Sequence, residues 1–594
     1  MWITHILQKI KLPCNRIQFL QSKVRVSAPV IAGTCCANFQ SVSAGFRQRG
    51  TTVSSERNTM ARRVAVIGAG CAGLTSIKCC LDEGLEPVCF ESSNDIGGLW
   101  KYKDRPEPER CSIYRSLVVN TSKEMMCFSD FPMPDHYPNY MHNSQYLQYL
   151  RLYAAHFDLL KHIRFQTTVC AVKQMPDFSD SGQWEVETEN KEGEKERHIF
   201  DAVLVCSGHY THPVTPLKTS QLGLQRSRCS PGEEGCCGGD RKLGRGHCRG
   251  DQQGCTENLP QHTARRLGHR PDVQQRAPSD MIMITRFRGF LPHILPRALL
   301  NWVGERGLNQ RFDHRIYGLL PMHRLLDQRP LINDDLPGRI LMGAVVMKPN
   351  LKEFRGSSLV FEDGSVEDQI DAVIFCTGYS YSFPFLPTSL FPGPGHELTL
   401  YQHVFPPALE HPTLAVLGLF QAKGPIMPVM ELQARWATRV FAGLNKLPPK
   451  EKMLEITEAE RRRNMKSSLS SKHSALQVDF TPYLDYLAGQ VGALPNFLGL
   501  LLRDPRLGLN VLLGPCTPYQ YRLYGPGQWT GARQAILTQW DRVTCPFKTR
   551  PIPEPRHSSS ILPLLLTVSG ASLLFAVIYS PSRITTMLQD LQPF

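Results

Sequence analysis

The sequence predicts an α/β fold built on a parallel sheet, and three observations predict it. Val64 to Ile67 is a short, wholly apolar run of the kind that fills a parallel strand buried on both faces. It passes directly into Gly68-Ala69-Gly70-Cys71-Ala72-Gly73, a G-x-G-x-x-G that opens a helical pattern. A second strand, Pro87 to Phe90, ends in an acid, Glu91.

Each part has a physical task. Gly68 permits the tight turn after the strand, Gly70 lets the backbone approach a pyrophosphate, and Gly73 lets helix and strand pack closely. The helix N-terminus offers free N–H groups and the positive end of a dipole to an anion. Leu74, Ile77, Cys80 and Leu81 share one helical face, and Gly84 is a C-terminal stop. Glu91 stands about 20 residues beyond the motif, where a carboxylate accepts from a ribose, and an acid there suits FAD or NAD rather than NADP. A glycine-rich turn of an ordinary α/β protein would explain the glycines but not the strand, helix and acid around them.

A length of 594 residues implies two or more domains with a large core. The net charge of +14 invites a nucleic-acid reading, but its distribution argues against one. Residues 1–59 contribute +7 and residues 224–276 contribute +4, which leaves +3 for the rest, with no basic stripe interleaved with aromatics. The 19 cysteines form no regular framework and include no C-x-x-C, so most are expected to be reduced and buried in a chain whose bulk faces the cytosol. Residues 1–59 are Arg-rich and nearly free of acid, like a mitochondrial transit peptide. The preferred reading is an extension ahead of a natural start at Met60, which opens the α/β unit directly.

After Glu91 the chain reads Asp95-Ile96-Gly97-Gly98-Leu99-Trp100, and later Asn120-Thr121-Ser122-Lys123-Glu124-Met125-Met126. With the opening motif, these residues resemble the flavin-containing monooxygenases of the vertebrate microsomal type, over nearly all of 60–594. The resemblance implies a two-dinucleotide-binding flavoprotein: a Rossmann-like FAD domain, an inserted NADPH domain and a C-terminal membrane anchor. It implies that Gly68, Ala69, Gly70, Cys71, Ala72, Gly73 and Glu91 hold the FAD pyrophosphate and ribose. It implies that Gly98, Leu99 and Trp100 cover the flavin side, that Val119, Asn120 and Thr121 lie beside the isoalloxazine, and that Asn120 is the catalytic asparagine. A neutral amide can hydrogen-bond flavin or nicotinamide without adding charge. By residue type alone, Asn120 would be a cap or turn residue.

Asp201-Ala202-Val203-Leu204-Val205-Cys206-Ser207-Gly208 reads as a buried strand ending in a small-residue turn, and the pattern recurs at Asp371-Ala372-Val373-Ile374-Phe375-Cys376-Thr377-Gly378-Tyr379. The resemblance implies that such turns lie where the chain leaves the FAD domain and where it returns, and so bracket an inserted domain. The expected organisation is an extension (1–59), the leading segment of the FAD domain (60–212), an inserted NADPH domain (213–370), the returning segment of the FAD domain (371–500), a membrane-associated region and linker (501–557) and a transmembrane tail helix (558–580).

Residues 224–276 do not fit. They contain no Phe, Trp or Tyr, few aliphatics and much Gly, Arg, Gln and Cys, with no strand or helix period. Cys229, Cys236, Cys237, His247, Cys248 and Cys255 lack the spacing of a zinc site, and no metal is expected. Read one nucleotide later with permitted codons, Gly235 onward can become VVVVGIGNSGGDIA, and Gln261 to Gly268 can become STRRGAWV. Both strings resemble the family's NADPH-binding segment. The stretch therefore reads as an out-of-frame translation, with the family frame resuming near Ala277. The family's F-x-G-x3-H-x3-Y segment just upstream is also missing. As written, the stretch offers no N–H cradle for the NADPH pyrophosphate.

Ile561 to Tyr579 is 19 residues without a charge, long enough to span a bilayer, and follows a basic, Pro-rich linker. This predicts a tail anchor in the endoplasmic-reticulum membrane with the catalytic body in the cytosol. The resemblance implies that NADPH reduces FAD, that O2 adds at flavin C4a as a hydroperoxide, and that an amine or sulfide attacks the distal oxygen. The partners expected are such small molecules, O2 and membrane lipid, with no nucleic acid. A rival reading is a catalytically impaired, membrane-anchored FAD-binding remnant without a working NADPH site.

Overall fold

A computed structural model describes residues 62–104, 111–213, 278–327, 336–390, 399–467 and 476–549, apart from positions 112, 211, 311, 322, 372, 375 and 377. The expected extension (1–59), the aberrant stretch (224–276) and the tail helix (558–580) lie outside the described residues. Among the described residues, no helix is long and apolar enough to cross a membrane. The chain divides into two compact units, 1–546 and 547–594, and the sheets and their covering helices belong to the first.

Strand β1 (Arg63–Ile67) passes through helix α1 (Cys71–Asp82) to β2 (Glu86–Glu91). Helix α2 (Asn143–His156) precedes β3 (Ile163–Phe165). Three antiparallel strands come next, β4 (Thr167–Gln174), β5 (Trp184–Asn190) and β6 (Lys195–Phe200), and then β7 (Ala202–Val205). After β8 (His212–Pro213) come β9 (Leu351–Arg355), β10 (Ser358–Phe361), β11 (Val366–Glu367) and β12 (Tyr379–Ser380). Strand β13 (Leu414–Val416) and helices α3 (Met427–Phe441) and α4 (Phe480–Val491) complete the core.

The sheet is five-stranded and parallel, in the order β13-β7-β1-β2-β3. Its apolar runs reflect burial on both faces. Val64, Val66, Cys89, Leu204 and Ala415 point into one core with α1, α2, α3 and α4. Ala65, Ile67, Phe90, Val205 and Val416 point into another, closed by Val172, Trp184 and Phe200 of the β4–β5–β6 sheet. The expected apolar face of α1 is corrected here: Leu81 is 38% exposed, while every residue from Cys71 to Cys80 is buried. The helix is wedged between the sheet and α3, so burial runs around it until its last turn, where Gly84 (φ +71°) reverses the chain as expected.

Of the strand expected at Asp371–Gly378, positions 372, 375 and 377 lie outside the described residues, and Gly378 turns at φ +80°, as Gly208 does. Among its described residues only Val373 makes a β-bridge, and Cys376 is exposed. The apolar strand that pairs with β7 is Leu414–Val416. The segment does contribute at its end, where β12 pairs antiparallel with β8, Tyr379 opposite Pro213 and Ser380 opposite His212. The outgoing and returning chains thus meet as a two-stranded ribbon. Between them, β9, β10 and β11 form a small antiparallel sheet over Leu359, Phe361 and Val373.

A buried ionic cluster joins the two ends of this unit. The Arg522 guanidinium lies 2.8 Å from both Glu431 and Asp130, and Lys78 lies 2.7 Å from Asp130. Ser129 donates its backbone N–H to Glu431, and Arg435 donates to the Tyr521 and Pro526 carbonyls. Burial alone would raise the pKa of Asp130, but Arg522 and Lys78 outweigh it and hold the carboxyl below its usual 3.8. Removing one partner strands the others in a low dielectric. Arg522→Ala should therefore cost about 3–5 kcal/mol in denaturant unfolding. A depressed carboxyl pKa stabilises above the unfolded value and loses that contribution as pH falls through the folded one. Wild-type stability should thus drop on acidification below pH 3.8, and Asp130→Asn should flatten that drop.

Candidate functional site

The chain runs from β1 outward to β2 and β3, then returns to place β7 on the other side of β1. Strand order reverses between β1 and β7, and ligands of open α/β sheets bind outside the carboxyl ends of the strands at that point. Two glycine turns occupy it: Gly68 (φ +101°) ends β1, and Gly208 (φ +80°) comes after β7. A Cβ at Gly68 would stand 2.9 Å from the Cys206 carbonyl oxygen, so the turns are in close contact. A Cβ at Gly73 would collide with the Gly68 carbonyl oxygen. Glycine at these positions is required by contact as well as by backbone angle.

Helix α1 begins at Cys71 with Gly70 as its cap, and no side chain caps it. The first intrahelical bond runs from Leu74 N–H to the Gly70 carbonyl, which leaves the N–H groups of the first turn available to an anion. Glu91 is 6% exposed and sits beside the loop. Its carboxylate accepts from the N–H groups of Ala69 and Ser93, both at 2.8 Å. A polar cavity of about 320 Å³, lined in part by Ser92, Asn94, Gln166 and Thr168, opens next to that strand end.

Gly98–Trp100 forms one 3-10 turn entered through Gly97 at φ +103°. Gly97 donates its N–H to the Ala69 carbonyl at 3.0 Å, and a Cβ on Gly98 would come within 3.2 Å of the Gly70 Cα. The glycine loop and this turn therefore form one wall. Trp100 packs on Tyr146 at 4.6 Å between ring centroids, and the Tyr146 hydroxyl lies 3.8 Å from the Cys71 sulfur. Burial pushes the Cys71 thiol up to about 12, which makes it a packing group and not a nucleophile. All eleven described cysteines are free.

Val119 is buried in the same core as Ala69 and Cys71, and donates its N–H to the Met141 carbonyl at 2.8 Å. Asn120 is exposed and Thr121 half-buried. Asn120 is not the helix cap its residue type would favour, because that position belongs to Ser122, ahead of Lys123–Met126. Asp280 Oδ2 accepts from the Ser122 N–H at 2.7 Å. Burial raises the Asp280 carboxyl, partly offset by its hydrogen bonds.

Two features of the site escape sequence reading. Gly418 (φ +83°) lies at the carboxyl end of β13, beside β7, with its N–H held by the Gln433 side chain at 3.0 Å. Asp280 comes from the far side of the aberrant stretch. Only sheet order and a long-range contact reveal them.

The chain matches the family model described as flavin-binding monooxygenase-like over residues 61–229 and 271–581. It is 48% identical over 536 residues to flavin-containing monooxygenase 5 of Mus musculus, covering 87% of this chain and 99% of that protein. It is 46% identical over 534 residues to dimethylaniline monooxygenase [N-oxide-forming] 2 of the same species, covering 87% and 98%. Among solved structures, S-allyl-L-cysteine S-oxygenase from Allium sativum matches at 21% identity and a TM-score of 0.49, covering 82% of this chain and 99% of that one. Because a Gly73 side chain would strike the loop it must pack on, Gly73→Ala should yield protein without bound flavin, checked by its visible absorbance and by FAD titration.

Proposed function

The chain belongs to the flavin-binding monooxygenase-like family, and on that premise we propose that it is an NADPH- and O2-dependent flavoprotein monooxygenase acting on soft nitrogen or sulfur nucleophiles. The observation that carries this reading is the wall made by Gly68–Gly73, Glu91 and Gly98–Trp100 at the switch point of the parallel sheet. That wall fits FAD: side chains are absent where the backbone must approach, and no side chain caps the N-terminus of α1.

The first-turn N–H groups of α1 would hold the pyrophosphate, and Glu91 the ribose. Leu99 and Trp100 would shield one side of the bound cofactor from water. Asn120 would offer the ring a neutral amide donor and acceptor, with Thr121 adjacent. Bound FAD supplies the redox chemistry that takes electrons from NADPH and activates O2. The domain division proposed is FAD, inserted NADPH, FAD, and the β8–β12 ribbon supports it because it joins the outgoing chain to the returning one.

We also place the protein at the endoplasmic-reticulum membrane, with lipid as a partner. The apolar run from Ile561 to Tyr579 supports this. So does the 497–513 region of the body, where Leu498 and Leu502 are 74% and 84% exposed and Leu509 and Leu513 are also exposed.

A second reading is favoured by one observation. The family match breaks between 229 and 271, within the stretch 224–276 that lacks any strand or helix period. A chain with that stretch as written is an FAD-binding protein that NADPH cannot reduce. Anaerobic mixing of the FAD-loaded protein with NADPH separates the two readings. Bleaching of the flavin band by NADPH is the expected result for the monooxygenase. Bleaching by dithionite but not by NADPH establishes the second reading and removes the first.

A further inference from the structure

The chain re-enters the described residues at Pro278, and its next three residues fasten it to the loop that carries Asn120. Ser279 donates its N–H to the Tyr140 hydroxyl at 3.3 Å. Asp280 Oδ2 accepts from the Ser122 N–H at 2.7 Å, across 158 residues of sequence. Met281 is fully buried in the same core as Val119 and Met126. The second Asp280 oxygen accepts from the Met281 N–H at 3.0 Å, so the carboxylate is oriented by its own helical turn while it reaches across.

The Asn120 loop has local anchors on either side: Val119 N–H to the Met141 carbonyl at 2.8 Å, and Lys123 N–H to the Asn139 carbonyl at 2.9 Å. Between them it is held by Asp280. Asn120 is exposed, so its side chain takes its position from the backbone that carries it rather than from packing. Backbone freedom at 120–122 would pass directly to the amide, and displacement of an orienting group by about 1 Å is enough to cost about a hundredfold in rate.

We infer that Asp280 is a positioning residue for Asn120: its hydrogen bond to the Ser122 N–H holds the turn that presents the Asn120 amide to the flavin. The inference rests on the reading of Asn120 as the flavin-facing amide. It also makes the residues just after the stretch 224–276 a joint between the inserted segment and the flavin site. The joint is firm, because Cys516 N–H bonds the Ile284 carbonyl at 2.9 Å and Arg286 pairs with Asp485 at 2.7 Å.

The test uses the full chain loaded with FAD and needs no NADPH. The variants are Asn120→Ala, Asp280→Ala, Asp280→Asn and the double alanine. The readouts are the visible spectrum of bound flavin, its midpoint potential against dithionite and reference dyes, and amide hydrogen exchange at Ser122. Asp280→Ala should speed Ser122 exchange about tenfold or more, as the loss of one hydrogen bond to a carboxylate implies. It should also shift the flavin spectrum in the same sense as Asn120→Ala. Asp280→Asn keeps an acceptor oxygen and should restore both readouts, and the double variant should go no further than Asn120→Ala. Faster exchange with an unchanged flavin spectrum makes the contact merely structural and overturns the inference. A flavin spectrum that Asn120→Ala itself leaves unchanged overturns the reading of Asn120, and the inference with it. If Asp280→Ala releases FAD, Asp280→Asn decides: wild-type exchange and spectrum support the hydrogen bond, and altered ones overturn it.

Discussion

A buried guanidinium must be answered by buried carboxylates, and that requirement holds this structure together. Arg522 is 1% exposed and bridges Glu431 on α3 to Asp130, which in turn holds Lys78 on α1. Two of these residues precede the inserted segment and two come after it. None can be buried alone without a desolvation penalty of several kcal/mol, so the cluster forms only when the returning chain has docked. The sheet imposes the same condition in hydrogen bonds, because β7 has β1 on one side and β13 on the other. The sheet that carries the candidate site is thus made by the near and far parts of the chain together.

That arrangement bears on how the candidate site stands beside a stretch where the family match breaks, between 229 and 271. The glycine loop, Glu91 and the Gly98–Trp100 turn lie within 62–104 and rest on a core completed by residues beyond 399. The described residues between 278 and 373 have their own small apolar clusters, around Phe312 and Leu319 and around Leu359, Phe361 and Val373. They are separate from the two large cores on the parallel sheet. Among the described residues, the contacts of 279–286 are what tie this part of the chain to the candidate site.

Much of the site was legible in the sequence because its constraints are local. A strand, a G-x-G-x-x-G, a helix and an acid at a set spacing are enforced by sterics within some thirty residues, so Gly68, Gly73 and Glu91 stand where the motif predicts. The reading of Asn120 rests on family resemblance alone, since an exposed asparagine in a bend has no spacing rule of its own. The face of α1 was misjudged at Leu81 because amphipathic periodicity assumes one wet side, and α1 has none before its last turn. The pairing of Leu414–Val416 with β7 was not legible, because an apolar run shows that a segment is to be buried, not which neighbour buries it.

The sequence by itself determined the fold class, the first cofactor loop and its acid, and the misfit of residues 224–276. All of these are set by chain stereochemistry and composition over short distances. Only the tertiary structure decided that β13 completes the sheet, that β8 and β12 close the ribbon, that Arg522 meets Glu431 and Asp130, and that Asp280 holds the Asn120 loop. Those are choices among distant partners, made by mutual burial and hydrogen bonding that no local pattern encodes.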